Sequence, residues 1–176
     1  MLSNPEDTIY LRALEPEDLD FIEQVENNSK YWHLSGTQKP FSRYILKQYL
    51  ADSHRDIYEV KQLRLVISLK ADKSIGLLDF YDFDPQNRRV ALGVIIFDPK
   101  YRQLGYAYTA VKQACEYAQE QLKVHQIYAG ILAHNRASVQ LFEKLNFKRT
   151  GVQKDWVLRQ GTFEDQYLYQ LINHVY

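Results

Sequence analysis

The chain is 176 residues long, enough for one domain with a sizeable core, and its 45% apolar and 25% charged residues are an ordinary globular balance. Lys plus Arg and Asp plus Glu each number 22, so no net field draws the protein to nucleic acid or to an anionic membrane surface. The one cysteine, Cys115, excludes an internal disulfide and fits a reducing compartment.

The opening Met-Leu-Ser-Asn-Pro-Glu-Asp lacks the basic-then-apolar order of a signal peptide. No run of about 18 apolar residues follows, so nothing is expected to span a membrane and a cytoplasmic location is expected. Thr8 to Leu14 predicts a first strand. Glu15-Pro16-Glu17-Asp18 opens a helix, because proline is tolerated in a first turn and acids there complement the dipole. Leu19, Ile22 and Val25 form its apolar stripe. Ser29 to Pro40, which holds Tyr31, Trp32 and His33, has no clean period and reads as a loop or an irregular helical turn. Ser42 is the expected N-cap of a second helix with Tyr44, Ile45, Tyr49 and Leu50 as its apolar face.

From Leu63 the period changes to two. Leu63 to Leu69 and Ile75 to Phe83 predict strands joined by a hairpin at Ala71-Asp72-Lys73-Ser74. A turn at Asp84-Pro85-Gln86-Asn87 leads to a third strand, Arg89 to Phe97. That strand is apolar on both faces, as in a covered sheet, and Gly93 in its middle reads as a bulge or a close backbone approach. The next helix, to about Leu122, aligns Ala107, Ala110, Val111, Ala114, Ala118 and Leu122 on one side. Ile127 to Ala133 is a strand, and Asn135 opens a helix carrying Val139, Phe142 and Leu145. Phe147 to Val152, Trp156 to Arg159 and Gln166 to Ile172 are strand-like. The order β-α-α-β-β-β-α-β-α-β-β describes a single domain, a mixed sheet with helices on its faces.

Arg102-Gln103-Leu104-Gly105-Tyr106-Ala107 joins the central strand to its helix. A strand, a glycine-bearing loop and a helix N-terminus in succession hold an anion, because the first helical N–H groups have no partner and the dipole is positive there. A second block, Asn135-Arg136-Ala137-Ser138-Val139-Gln140-Leu141-Phe142-Glu143-Lys144-Leu145-Asn146-Phe147, follows at a fitting distance. Together they resemble the Gcn5-related N-acetyltransferase (GNAT) family, whose acyl-CoA signature is Q/R-x-x-G-x-G/A. The likeness covers nearly the whole chain and is strongest to the branch of ribosomal-protein alanine and spermidine acetyltransferases. It implies an α/β (α+β) fold of about seven mostly antiparallel strands and about four helices, with the two central parallel strands splayed. It also implies acetyl-CoA as cosubstrate, no metal, and acetyl transfer to a primary amine of a polyamine, a protein N-terminus or a small molecule. The transfer would be direct, in a ternary complex. The alternative is a non-catalytic acyl-CoA-binding sensor or scaffold.

The same resemblance assigns residues. Main-chain groups of Gln103, Leu104, Gly105, Tyr106, Ala107 and Tyr108 would wrap the pyrophosphate, with Arg102 adding charge. The pantetheine arm would lie beside Ile95, Ile96 and Phe97, pairing with the main chain of Ile95 and Phe97, and an N–H near Ile95 would polarise the thioester carbonyl. Asn135 would cap its helix and contact the cofactor, and Lys144 would reach a phosphate or stay in solvent. The chain departs from the pattern at Gln103, often Gly, at Leu92, often the Glu base, and at Phe142, where many members place a tyrosine as general acid. Asp79 and Asp82 remain as candidate catalytic carboxylates, three positions apart and so on opposite faces of a regular strand. Trp32 and His33 fall where relatives build the acceptor wall. His125, His134 and His174 show no metal-ligand spacing. The last strand suits either the interior of the sheet or a homodimer contact.

Overall fold

The structure, a computed structural model, describes residues 9–70 and 72–173; Thr8, Ala71 and His174, named above, lie outside them. The stretches of period two become β1 (Ile9–Arg12), β2 (Leu63–Leu69), β3 (Lys73–Asp84), β4 (Arg89–Ile96), β5 (Gln126–Leu132), β6 (Lys148–Arg159) and β7 (Thr162–Ile172). They form one sheet in the order β1-β2-β3-β4-β5-β7-β6. Every neighbouring pair is antiparallel except β4 and β5. The helices are α1 (Leu19–Glu26), α2 (Trp32–Ser35), α3 (Arg43–Asp52), α4 (Ile57–Val60), α5 (Tyr106–Glu120) and α6 (Arg136–Lys144), with 3-10 turns at Pro16–Asp18 and Pro99–Tyr101. Four of the six helices have eight residues or more; α2 and α4 are single turns. The irregular stretch after α1 thus holds one turn of helix. Its ends are fastened by Asn27, whose side chain donates to the Phe41 carbonyl at 3.0 Å and accepts from the Phe41 N–H at 2.8 Å.

Two cores sandwich the sheet. Leu78, Phe80, Val90, Leu92 and Ile96 pack with the small residues of α5 and with Phe142 of α6. Cys115 belongs to this core, and burial pushes its thiol up to about 12. On the other face Val66 and Leu77 meet Leu19, Ile22 and Val25 of α1 and Leu46 and Leu50 of α3. Ser42 caps α3 as expected, accepting from the Ile45 N–H at 3.3 Å. The buried face of α3 is turned by about one residue from the expected one. Leu46 and Leu50, one turn apart, are inside, whereas Tyr44 and Ile45 are 67% and 45% exposed. Tyrosine counts as apolar in a periodicity argument, yet its hydroxyl is at home at the surface.

Gly93 carries no bulge. The β3–β4 register is unbroken from Gly76↔Ile96 to Tyr81↔Ala91, and a Cβ on Gly93 would meet only Tyr81, at 3.7 Å. The close approach is at Gly76, where a Cβ would stand 2.3 Å from the Ile95 carbonyl oxygen. The shift in this hairpin lies between Tyr81 and Asp84. The two strand-like stretches after Phe147 are one bulged strand, β6. The last strand, β7, pairs with β5 on one side and β6 on the other, so it is interior to the sheet.

Candidate active site

The loop from Arg102 to Ala107, the candidate phosphate site, is built by two residues with positive φ. Gln103 has φ 60° and Gly105, the N-cap of α5, has φ 87°. No side chain caps α5, and its first hydrogen bond runs from the Thr109 N–H to the Gly105 carbonyl at 3.1 Å. The N–H groups of Tyr106, Ala107 and Tyr108 therefore lack helical partners at the positive end of a 15-residue helix. Arg102 does not point its charge into this loop. Its Nε donates to the Ile96 carbonyl at 2.9 Å and Nη2 to the Phe97 carbonyl at 2.9 Å and to the Tyr31 hydroxyl. The guanidinium instead fastens the end of β4 to the segment after α1. Lys144 lies 5.4 Å from the Tyr108 ring centroid, beside the start of α5. Asn135 caps α6, its side-chain oxygen accepting from the Ser138 N–H at 3.2 Å.

Behind this loop the central strands part. β4 and β5 pair only at Arg89↔Gln126, Val90↔Ile127 and Ala91↔Tyr128. The Phe97 N–H donates to the Ile75 carbonyl at 2.9 Å. By the alternation of an antiparallel ladder, Gly93, Ile95 and Phe97 thus turn their main-chain groups to β3, and Leu92, Val94 and Ile96 turn theirs to the opening. This corrects the pairing expected at Ile95 and Phe97. Val94 aims both its main-chain groups at the gap and Ile96 its N–H, since Arg102 holds the Ile96 carbonyl.

A cavity of about 390 Å³ runs through that opening. Asn135, Ser138 and Phe142 line it from α6, and Glu26, Arg64 and Asp79 from the α1 face. Asp79 is gripped by Arg64, from Nε at 2.6 Å and from Nη2 at 3.1 Å, and Arg64 also pairs with Glu26. Burial disfavours the Arg64 charge, but Asp79, Tyr49 and Glu26 outweigh it and hold the guanidinium above its ordinary range. Tyr81 lines the same wall, and burial pushes its hydroxyl up to about 12. Trp32 and His33 both line the cavity, Trp32 anchored by an Nε1 bond to the Glu26 carbonyl at 2.8 Å. Asp82 does not belong to this wall. It is exposed, with φ 49° in the irregular part of β3, where the regular alternation assumed for it fails.

The GNAT acetyltransferase domain family matches residues 8–148 of this chain. The chain belongs to that family. Escherichia coli spermidine N(1)-acetyltransferase is 26% identical over 172 residues, covering 96% of this chain and 88% of that protein. The Vibrio cholerae spermidine N(1)-acetyltransferase is 27% identical over 160 residues, 89% of this chain and 88% of that protein. A solved Vibrio cholerae spermidine N-acetyltransferase in complex with CoA and spermine superposes with a TM-score of 0.83 at 25% identity, over 93% of this chain and 95% of that one. The protein is thus an acetyl-CoA-dependent N-acetyltransferase with the GNAT fold. Its own residues fit the coenzyme, with unpartnered N–H groups at the loop and gap-facing main chain along β4.

Against this GNAT framework, Phe142 is 3% exposed and packs edge-on against Phe147 at 4.9 Å. It supplies a cavity wall and no proton. The sequence reading missed Ser138. It lies one helical turn before Phe142 and so on the same side of α6, and it lines the cavity. The i, i+4 spacing from the missing tyrosine was the available signal. Glu26 and Arg64 were missed as well, because each is far in sequence from Asp79.

Proposed function

We propose that a primary amine enters from the α1–α2 side and attacks the thioester directly in a ternary complex, the coenzyme lying in the gap between β4 and β5. The observation that carries this reading is one cavity joining the α6 side of the sheet to the Glu26–Arg64–Asp79 wall. Orientation supplies much of the acceleration, and a gap-facing N–H of Val94 or Ile96 polarises the carbonyl. The Ser138 hydroxyl takes the place of the tyrosine absent at position 142, steadying the departing thiolate by a hydrogen bond. Two carboxylates against one guanidinium leave the acceptor wall a net single negative charge, which suits an ammonium group. The spermidine-acetylating relatives make polyamines the first acceptor class. Release of free thiol from acetyl-CoA is measured against spermidine, simple alkylamines and peptide N-termini. Turnover with cationic alkylamines, spermidine among them, is expected; tight CoA binding without thiol release on any amine overturns the reading. We also infer self-association through the β6 edge of the sheet; another solved Vibrio cholerae relative is dodecameric.

A further inference from the structure

We propose that His33 is the general base of the acetyl transfer, receiving the proton that the amine nitrogen sheds as it bonds to the acetyl carbon; this rests on the acceptor site proposed above. The ionisable side chains lining the cavity are Glu26, Tyr31, His33, Arg64, Asp79 and Tyr81. Five are committed elsewhere. Glu26 and Asp79 are both engaged by Arg64, so a proton placed on either breaks a half-buried ion pair. Tyr31 accepts from Arg102. Tyr81, held up at about 12, stays protonated at neutral pH and has no use as a base.

His33 differs in chemistry and setting. The single turn α2 places it on the cavity wall, and that turn is held by the Trp32–Glu26 bond at 2.8 Å and by the two-way Asn27–Phe41 clasp. A neutral imidazole keeps one ring nitrogen with its lone pair. The groups facing it come from three other elements. His134, before α6, lies with its ring 6.5 Å away and pairs with Glu164 of β7, which Arg159 of β6 also holds at 3.0 Å. Burial, then Arg159 and His134, lower the His33 pKa below its ordinary value, while Glu164 opposes them. The imidazole is therefore neutral at pH 7 and ready to accept a proton.

The step balances without a further reactant. The amine N–C bond forms and the thioester C–S bond breaks. The ammonium form gives its first proton to solvent before attack; sulfur leaves as thiolate and takes a proton from solvent, and the second proton from nitrogen resides on His33 until solvent removes it.

The test is the pH dependence of kcat at saturating amine and acetyl-CoA. In the wild type, kcat falls on the acid side with an inflection below about 6.5. His33→Gln loses that inflection and about 10²-fold in kcat, with CoA affinity and melting temperature unchanged. Arg159→Gln, which removes a positive neighbour, moves the wild-type inflection to higher pH. An inflection and kcat retained in His33→Gln, or an inflection unmoved in Arg159→Gln, overturns the assignment. If His33→Gln fails to fold, the Arg159→Gln profile decides alone. Absence of turnover by the wild type on every amine overturns the acetyl-transfer reading and this assignment with it.

Discussion

Asp18 is 4% exposed, yet the structure keeps it ionised. Arg12 grips both its oxygens at 2.7 Å, and the Glu15 N–H and Ser74 hydroxyl donate at 2.9 and 3.2 Å. Burial opposes the charge, but these donors together win and hold its pKa below the usual carboxylate range. A lowered native pKa means that the stabilisation is whole above the unfolded value of about 4 and fades as pH falls through the native value. Asp18→Asn leaves Arg12 without its counter-charge where β1, the first turn and β3 meet. It should cost about 3 kcal/mol in urea unfolding at pH 7, with the gap to the wild type closing in acid. Residue roles of this kind were only partly legible in the sequence. Gly105 was legible because a left-handed backbone makes a purely local demand. Arg102 was not, since its partners at Ile96 and Tyr31 depend on where β4 and the segment after α1 come to rest. Nor was Asp82, whose φ of 49° breaks the alternation from which its direction was argued.

Among the elements, α5 was the clearest in advance, because five small or apolar residues at helical spacing, with Leu122 just past its end, admit one packing face, and that face packs on the core. Its N-terminus is also where we propose that CoA binds. Gly105 sits at φ 87°, and the three unpartnered N–H groups that follow take their direction from it. An L side chain there costs about 1–2 kcal/mol and swings the fan of donors. Gly105→Ala should therefore weaken CoA binding by at least about tenfold, while Ala137→Gly in α6 costs only about 1 kcal/mol of stability. Calorimetric titration with CoA checks the first, and thermal melting the second. The boundaries of β3 and β6 were less legible. Bulges let β3 and β6 run 12 residues each, beyond the turns that appeared to end them. Tyr44 and Ile45 misplaced part of the face of α3, while Tyr49 and Leu50 pack inward as expected.

For the molecule as a whole, the order of elements was readable but the acceptor end was not. It joins Glu26, Arg64 and Asp79, which are 38 and 15 positions apart, through two strands and a helix that no periodicity relates. The sheet also leaves a consequence at its rim. β6 is an edge strand, and an edge offers unpaired main-chain groups to another chain. On this hairpin Trp156, Leu158 and Phe163 are 57%, 60% and 58% exposed, with Leu158 and Phe163 directly opposite in register. We propose that a second copy of the same chain covers this aromatic and aliphatic surface, each hairpin meeting its twin about a two-fold axis. Light scattering behind size exclusion should give at least twice the mass of one chain for the wild type. Trp156→Asp places a charge at the centre of that contact and should shift the mass to a single chain, leaving CoA affinity unaltered, since Trp156 is far in sequence from the loop and does not line the cavity. A wild type that runs as one chain at all concentrations, or a Trp156→Asp variant that stays associated, rules out this edge as the contact.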